Sequence, residues 1–160
     1  MSDNATDRLW DFAVTAYGKP GVADLCLQAQ DIHGYDVNML LYAAWCASEG
    51  RVVSEEHWRQ LDELLEPWRA AVVRPLREQR RQWGEQGNAS APHPLYEHAK
   101  AVELEAERQQ LAVMSGYADG LTESDGSPAE LLGRSFGALC AVRKTEASAL
   151  APLLELLTSS

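Results

Sequence analysis

The sequence from residue 37 to residue 48 reads Val37-Asn38-Met39-Leu40-Leu41-Tyr42-Ala43-Ala44-Trp45-Cys46-Ala47-Ser48. These residues would be apolar on almost every side of a helix, and such a helix is normally the central, buried one of a bundle. Gly50 follows shortly and is expected to end the helix. This stretch therefore predicts an all-α protein assembled around one buried helix.

Helical periodicity continues on both sides of this segment, and strand-like alternation is absent from the sequence. Upstream, apolar stripes follow residues 9–17 and 22–29, and Pro20 suits the first turn of the second helix. Downstream, Ser54 is a favourable N-cap for a fourth helix. The predicted fold is a compact bundle of about six helices, with one or two helices in a C-terminal tail.

Two prolines shape the prediction for the next segment. Pro67 is expected to start a new helix that runs to Trp83, and Pro75 is expected to kink or break it because proline lacks a backbone donor. Residues 84–94 are expected to form a loop. A further helix is predicted from Leu95 to Met114.

Three regions are predicted along the chain: a helical bundle domain at 1–115, a polar linker at 116–127 and a C-terminal helical appendage at 128–160. Ser127 and Glu130 form a capping box, with Pro128 at the first helical position. Whether the appendage packs on its own core or on another chain is open at this point.

Composition excludes several classes of protein. The chain has 160 residues and a net charge of −10, from 24 acidic and 14 basic residues. This balance argues against general binding to nucleic acids or anionic membranes, which needs clustered Lys and Arg. Cys26, Cys46 and Cys140 have no Cys-x-x-Cys spacing and are expected to be buried thiols in a reducing compartment. Neither a signal peptide nor an apolar run of ~20 residues is present, so we expect a cytoplasmic protein.

Polar residues gather between the second and third helices. Asp31, His33, Asp36 and Asn38 could bind a metal or transfer protons, but their spacing matches no established motif. The favoured interpretation is structural: Gly34 ends one helix and Asp36 caps the next.

Five arginines lie between residues 67 and 83, against the single acid Glu78. Arg74, Arg77 and Arg81 are spaced to share one helical face. That face could bind an anion or an acidic partner. The favoured alternative is that it pairs with acids of neighbouring helices.

Glu103 and Glu107 are four residues apart and repel each other unless a cation lies between them. The arginine face could supply that cation, and so could a metal. Glu97 and His98 are adjacent and lack the Glu-x-x-His spacing of bundle metal sites. An interhelical Glu–Arg network is the favoured interpretation.

Several blocks of the sequence form a combined pattern, which comprises Leu9-Trp10-Asp11-Phe12-Ala13, Tyr17, Pro20-Gly21-Val22, Cys26-Leu27, Gln30-Asp31, Gly34, Asp36-Val37-Asn38, Leu40-Leu41, Val73, Pro75-Leu76-Arg77, Arg80-Arg81 and Glu103-Leu104-Glu105-Ala106-Glu107. This pattern resembles a proteobacterial family, domain of unknown function 2390, over roughly residues 7–115. The resemblance implies a small cytoplasmic helical protein of a Gram-negative bacterium. It implies no activity, substrate or catalytic residue.

The sequence contains no nucleophile elbow and no glycine-rich phosphate loop, and we assign no catalytic residue, cofactor or metal. The working hypothesis is a non-enzymatic interaction module, an adaptor or regulator that uses a groove and the arginine face. Its partner would be another protein or a second copy of the chain. The alternative is a helical bundle that binds a small molecule or metal through the Asp31–Asn38 segment, Arg77 and Glu103.

Overall fold

The computed structural model describes residues 4–86 and 94–159. The chain divides into two compact units: unit 1 comprises residues 1–61 with 111–160, and unit 2 comprises residues 62–110. The predicted all-α class is confirmed, because the only strand-like pairing in the described residues is an isolated bridge between Arg51 and Glu123.

In the described residues the helices are, in chain order, α1 (Ala5–Tyr17), α2 (Val22–His33), α3 (Val37–Ser48), α4 (Glu55–Trp68), α5 (Arg74–Gln86), α6 (Tyr96–Tyr117), α7 (Pro128–Arg143) and α8 (Ala151–Thr158). A π-helical turn (Arg69–Val73) joins α4 to α5. Short 3-10 turns follow α6 and precede α8.

The central position of α3 is confirmed. Every residue from Asn38 to Ala47 is buried, and α1, α2 and α7 all pack against this helix. An amphipathic helix buries one stripe, whereas α3 has neighbours on several sides and therefore needs apolar residues all round.

The predicted helix ends are largely confirmed. Gly34 ends α2 with a left-handed φ of 71°, which favours glycine because it has no Cβ. Asp36, Ser54 and Ser127 each accept a backbone N–H in the first turn of the following helix. Pro20 differs slightly from the prediction, since it lies in the turn before α2 rather than within the helix.

The structure decides how residues 128–160 pack. Leu131, Leu132, Phe136 and Leu139 of α7 are buried, and α7 packs on α3 while α8 packs on α2 and α7. The described part of the predicted appendage therefore belongs to the core of unit 1.

The predicted linker at 116–127 is structured in part. Ala118 is buried, and its carbonyl accepts a hydrogen bond from Arg51 at 2.9 Å. The backbone N–H of Ser124 donates to the carbonyl of Gly50 at 2.8 Å. Helix α6 also extends beyond the predicted Met114, to Tyr117.

The prediction that Pro67 starts a helix is wrong, because α4 continues through Pro67 to Trp68. The irregularity expected at Pro75 takes the form of the π-helical turn that ends just before it. A π turn inserts one extra residue and changes the hydrogen-bond ladder, which accommodates a residue without a backbone donor.

In the described part of the chain, no helix is both long enough and apolar enough to cross a bilayer.

Candidate functional site

The Asp31–Asn38 segment has the contacts of a helix junction. Asp31 and His33 are exposed in the last turn of α2. Asp36 accepts the backbone N–H of Asn38 at 2.9 Å and so caps α3, while Asn38 itself is buried. Local capping therefore accounts for the position of Asp36 without a ligand.

The end of α7 holds this junction in place. Tyr35 is buried, and its hydroxyl bonds to Cys140 Sγ at 3.3 Å and to Thr145 Oγ1. Arg143 donates to the carbonyl of Gly34 and lies over the Tyr35 ring, with Cζ 5.8 Å from the centroid. Contacts from residues about 110 positions later in the chain thus fix the junction.

Unit 2 contains the interhelical ion pairs that were favoured from the sequence. Arg77 lies between the two glutamates, with Nε 3.4 Å from Glu103 Oε2 and Nη2 3.2 Å from Glu107 Oε1. Arg80 Nε lies 2.5 Å from Glu103 Oε1. Glu103 is buried, so these cations offset the cost of removing its charge from water. Burial works to lower the pKa of Arg80, but its bond to Glu103 outweighs this effect and the pKa is raised.

The other two arginines of the predicted face lie elsewhere. Arg74 pairs with Glu66, at 2.5 Å and 3.1 Å, and both side chains are half-exposed. The two residues are eight apart, and the extra residue of the π turn aligns them as if they were seven apart on a regular helix. Arg81 is exposed.

The two arms of unit 2 run antiparallel. Trp68 Nε1 donates to the carbonyl of Ala106 at 3.0 Å, whereas Gly84, further along the first arm, faces the ring of Tyr96, which lies before Ala106 on the second arm. The first arm comprises residues 62–86 and the second arm residues 96–110. We call this pair of arms the hairpin.

On the second arm, the buried Glu103 and the exposed Val102 lie on opposite flanks of the contact with the first arm. Ala99 and Ala106 are buried and define the line along which the arms meet. Glu103 lies on one flank of that line. Because successive helical residues rotate by about 100°, Val102 lies on the opposite flank.

The first arm has the same division. Leu65 is buried, with the ion pair of Asp62 and Arg69 (2.5 Å) on one flank. Leu64 and Trp68 lie on the opposite flank by the same rotation. Corresponding flanks of two antiparallel helices lie on the same side of the pair, so Leu64, Trp68 and Val102 share one side and the ion pairs share the other.

Leu76 and Trp83 continue this arrangement. Leu76 lies four residues before Arg80 and Trp83 lies three residues after it, and both are on the flank opposite Arg77. Leu95 lies seven residues before Val102, directly before the second arm, and extends the same flank. We define the apolar side of the hairpin as Leu64, Trp68, Leu76, Trp83, Leu95 and Val102.

Large apolar side chains on this side remain accessible to solvent in the full described chain: 49% of Leu64, 38% of Trp68 and 52% of Val102. Scattered single apolar residues are common on protein surfaces, whereas several on one side of one element indicate an interaction surface.

Unit 1 contains a buried polar pair that no sequence pattern predicts. The hydroxyl of Tyr42 lies 2.8 Å from Nε2 of His57, and both residues are buried. The ring of Tyr117 lies 4.8 Å from the imidazole. Tyr42 is on α3 and His57 is on α4, with no motif spacing to link them, so only the packing of the two helices brings them together.

Burial determines the protonation states around this pair. It lowers the pKa of His57 to about 4 and raises that of Cys46 to about 12. At neutral pH the imidazole is therefore neutral and the thiol is protonated. The pKa of Cys26 is likewise raised to about 12 by burial. A thiol that keeps its proton is a poor nucleophile and a poor metal ligand, which agrees with the expectation of buried structural thiols.

Within the ranges that the structure describes, no group of three or more His, Cys, Asp or Glu side chains is arranged to hold a metal ion. The candidate residues predicted from the sequence divide into three sets: the junction residues in unit 1, the Arg77–Glu103–Glu107 cluster in unit 2, and Arg74 with Arg81 outside that cluster.

A family model with the description "Protein of unknown function (DUF2390)" matches residues 8–114, well over half of the chain. The chain belongs to the DUF2390 family. Comparison with curated proteins and with solved structures found no match.

The DUF2390 region contains the whole of unit 2 and ends within α6. Helices α7 and α8 lie outside the region, although their buried leucines complete the core of unit 1. The hairpin with its charged and apolar sides thus lies within the DUF2390 region.

Acid is expected to destabilise the protein through His57. In the unfolded chain the pKa of a histidine is near 6.5, whereas burial lowers it to about 4 here, so the unfolded state binds more protons between these values. The contribution of His57 to the free energy of unfolding should be fully present above pH 6.5. It should be lost progressively as the pH falls towards 4, by about 2 kcal/mol between pH 7 and pH 5. Urea unfolding at several pH values would measure this loss.

His57→Gln should flatten that dependence between pH 7 and pH 5, because glutamine does not titrate. The matched control is His33→Gln, which removes an exposed histidine and so tests whether the flattening is specific to position 57. Equal profiles for the wild type and His57→Gln would contradict the assignment.

Proposed function

We propose that this protein is a non-enzymatic protein-interaction module, an adaptor or regulator, that binds its partner through the apolar side of the hairpin. The observation that carries the proposal is the shared position of Leu64, Trp68 and Val102, each at least 38% exposed, opposite the ion pairs.

The energetics favour this surface over the arginine face. Burial of exposed apolar surface contributes about 25 cal/mol per Å², and tryptophan is among the residues that contribute most to binding at interfaces. Arg77 and Arg80 already bond to Glu103, so a partner would have to compete with these internal ion pairs. The arginines are better explained as the support of the hairpin than as its docking groups.

The alternative of a small-molecule or metal site receives less support. It would need Asp31, His33, Asp36, Arg77 and Glu103 to line one cavity. Both carboxylate oxygens of Glu103 bond to arginines, and Asp36 bonds to the backbone of α3. These contacts give both carboxylates a structural role.

We also propose a cytoplasmic location, because three free cysteines in one small chain are typical of a reducing compartment.

Photo-crosslinking in cells tests the proposed function. A benzophenone amino acid in place of Trp68 should give one or more adducts of discrete mass, formed with another protein or with a second copy. The same group in place of Asp11, which is exposed on α1, is the matched control and should give none of these adducts. Identical adduct patterns at both positions, or none at either, would overturn the proposal.

A further inference from the structure

We infer that the occupant of the apolar side is a second copy of this chain, and that two hairpins associate side to side as a four-helix bundle. This inference rests on the proposed function and names the partner. Three properties of unit 2 support it.

The first property is the construction of the unit. A helix buries one stripe against a neighbour, and a stable helical domain needs enough helices to cover all its stripes. The hairpin has only two arms, and the buried residues on its charged flank include the charged Glu103 and Arg69. A second hairpin placed on the apolar side would supply the missing layer. Two antiparallel arms form a surface that can pack on its own copy about a two-fold axis.

The second property is charge. Residues 62–110 contain nine acidic and seven basic residues, whereas residues 1–61 with 111–160 contain fifteen acidic and seven basic residues. Self-association through a strongly acidic surface would be opposed by like-charge repulsion. The hairpin is nearly neutral, and its ion pairs lie on the side away from the apolar residues. It is therefore the part of the chain best suited to meet a copy of itself.

The third property is size. The apolar side extends along the first arm from Leu64 to Trp83, which at 1.5 Å per residue is about 28 Å. Two helices side by side are about 18 Å wide, so each copy offers on the order of 500 Å². A pair would bury about 1,000 Å², which is the lower bound for a specific protein interface.

Sedimentation equilibrium of the purified full-length protein tests the inference. We expect a dimer at micromolar concentration. The double variant Leu64→Glu/Val102→Glu should weaken the dimer by about 100-fold or more, because it places a charge at two interface positions on each copy. The matched control, Val14→Glu/Leu27→Glu, makes the same charge change at two exposed apolar positions of unit 1 and should remain dimeric.

Circular dichroism of both double variants checks that each is folded. If the interface variant is unfolded, Leu64→Ser/Val102→Ser is used in its place, with the same expectation of a monomer. A monomeric wild-type protein at 100 µM, or a dimer unaffected by both interface variants, would overturn the inference.

The two proposals can fail separately. If the purified protein is monomeric but Trp68 crosslinks to a different protein in cells, the second copy is the wrong partner and the proposed function stands. If the protein is monomeric and Trp68 crosslinks to nothing, both proposals fall.

Discussion

Truncation of the chain after Gly126 is expected to abolish the cooperative unfolding of unit 1, even though the truncated chain keeps the whole DUF2390 region. The removed segment carries α7 and α8, whose buried apolar side chains are Leu131, Leu132, Phe136, Leu139, Cys140, Leu153 and Leu157. Their loss would expose one side of α3, which is apolar all round.

Polar contacts would be lost as well. Ser135 accepts the backbone N–H of Val53 at 2.9 Å through its hydroxyl, and the indole N–H of Trp58 at 2.9 Å through its carbonyl. Buried donors left without acceptors cost about 1–3 kcal/mol each, and a single large core truncation costs about 2–5 kcal/mol. Together these losses match or exceed the total stability of a typical domain, which is about 5–15 kcal/mol.

Circular dichroism in increasing urea and the dispersion of amide resonances would measure this effect. Addition of a peptide of residues 127–160 should restore part of the folded signal. The full-length variant Leu132→Ala, at a fully buried position, should give a graded loss of about 2–5 kcal/mol with the transition still cooperative. A truncated chain with the unfolding midpoint of the full-length protein would show that α7 and α8 do not complete the core.

Trp58→Ala is expected to have the second largest effect, a loss of about 3–5 kcal/mol in the free energy of unfolding. Trp58 is fully buried, its indole bonds to Ser135, and its ring contacts Tyr42 edge to face with centroids 6.0 Å apart. It therefore links α4, α7 and α3 at one point.

Trp58→Phe separates the two contributions of this side chain. It keeps most of the apolar volume but removes the indole N–H that bonds to the carbonyl of Ser135. The expected loss in the free energy of unfolding is therefore about half of that for alanine or less. Leu27→Ala, at a half-exposed position of α2, is the surface control and should change stability by less than about 1 kcal/mol. A loss below about 1.5 kcal/mol for Trp58→Ala would contradict the central role of this residue.

The junction between α2 and α3 shows how far local sequence can be interpreted. The left-handed conformation of Gly34 and the cap at Asp36 depend on residues within a few positions, so they were predictable. The contacts of Tyr35 with Cys140 and Thr145 depend on residues more than 100 positions away. No local pattern encodes them, and they needed the packed structure.

The arginine helix shows the same limit. The pairing of Arg77 with Glu103 and Glu107 followed from two glutamates that need a cation between them. The partner of Arg74 did not follow, because the π turn before Pro75 changes the phase of the helix and aligns Arg74 with Glu66. A regular helical wheel contains no information on where an extra residue is inserted.

The sequence by itself determined the all-α class, the central place of residues 37–48 and most helix ends, because periodicity and capping act over one or two helical turns. Tertiary structure alone decided that α7 and α8 complete the core around α3, that Tyr42 meets His57, and that Leu64, Trp68 and Val102 share the side of the hairpin opposite its ion pairs. The physical reason is the same in each case: burial depends on which helices become neighbours, and that choice minimises exposed apolar surface over the whole chain rather than within any one segment.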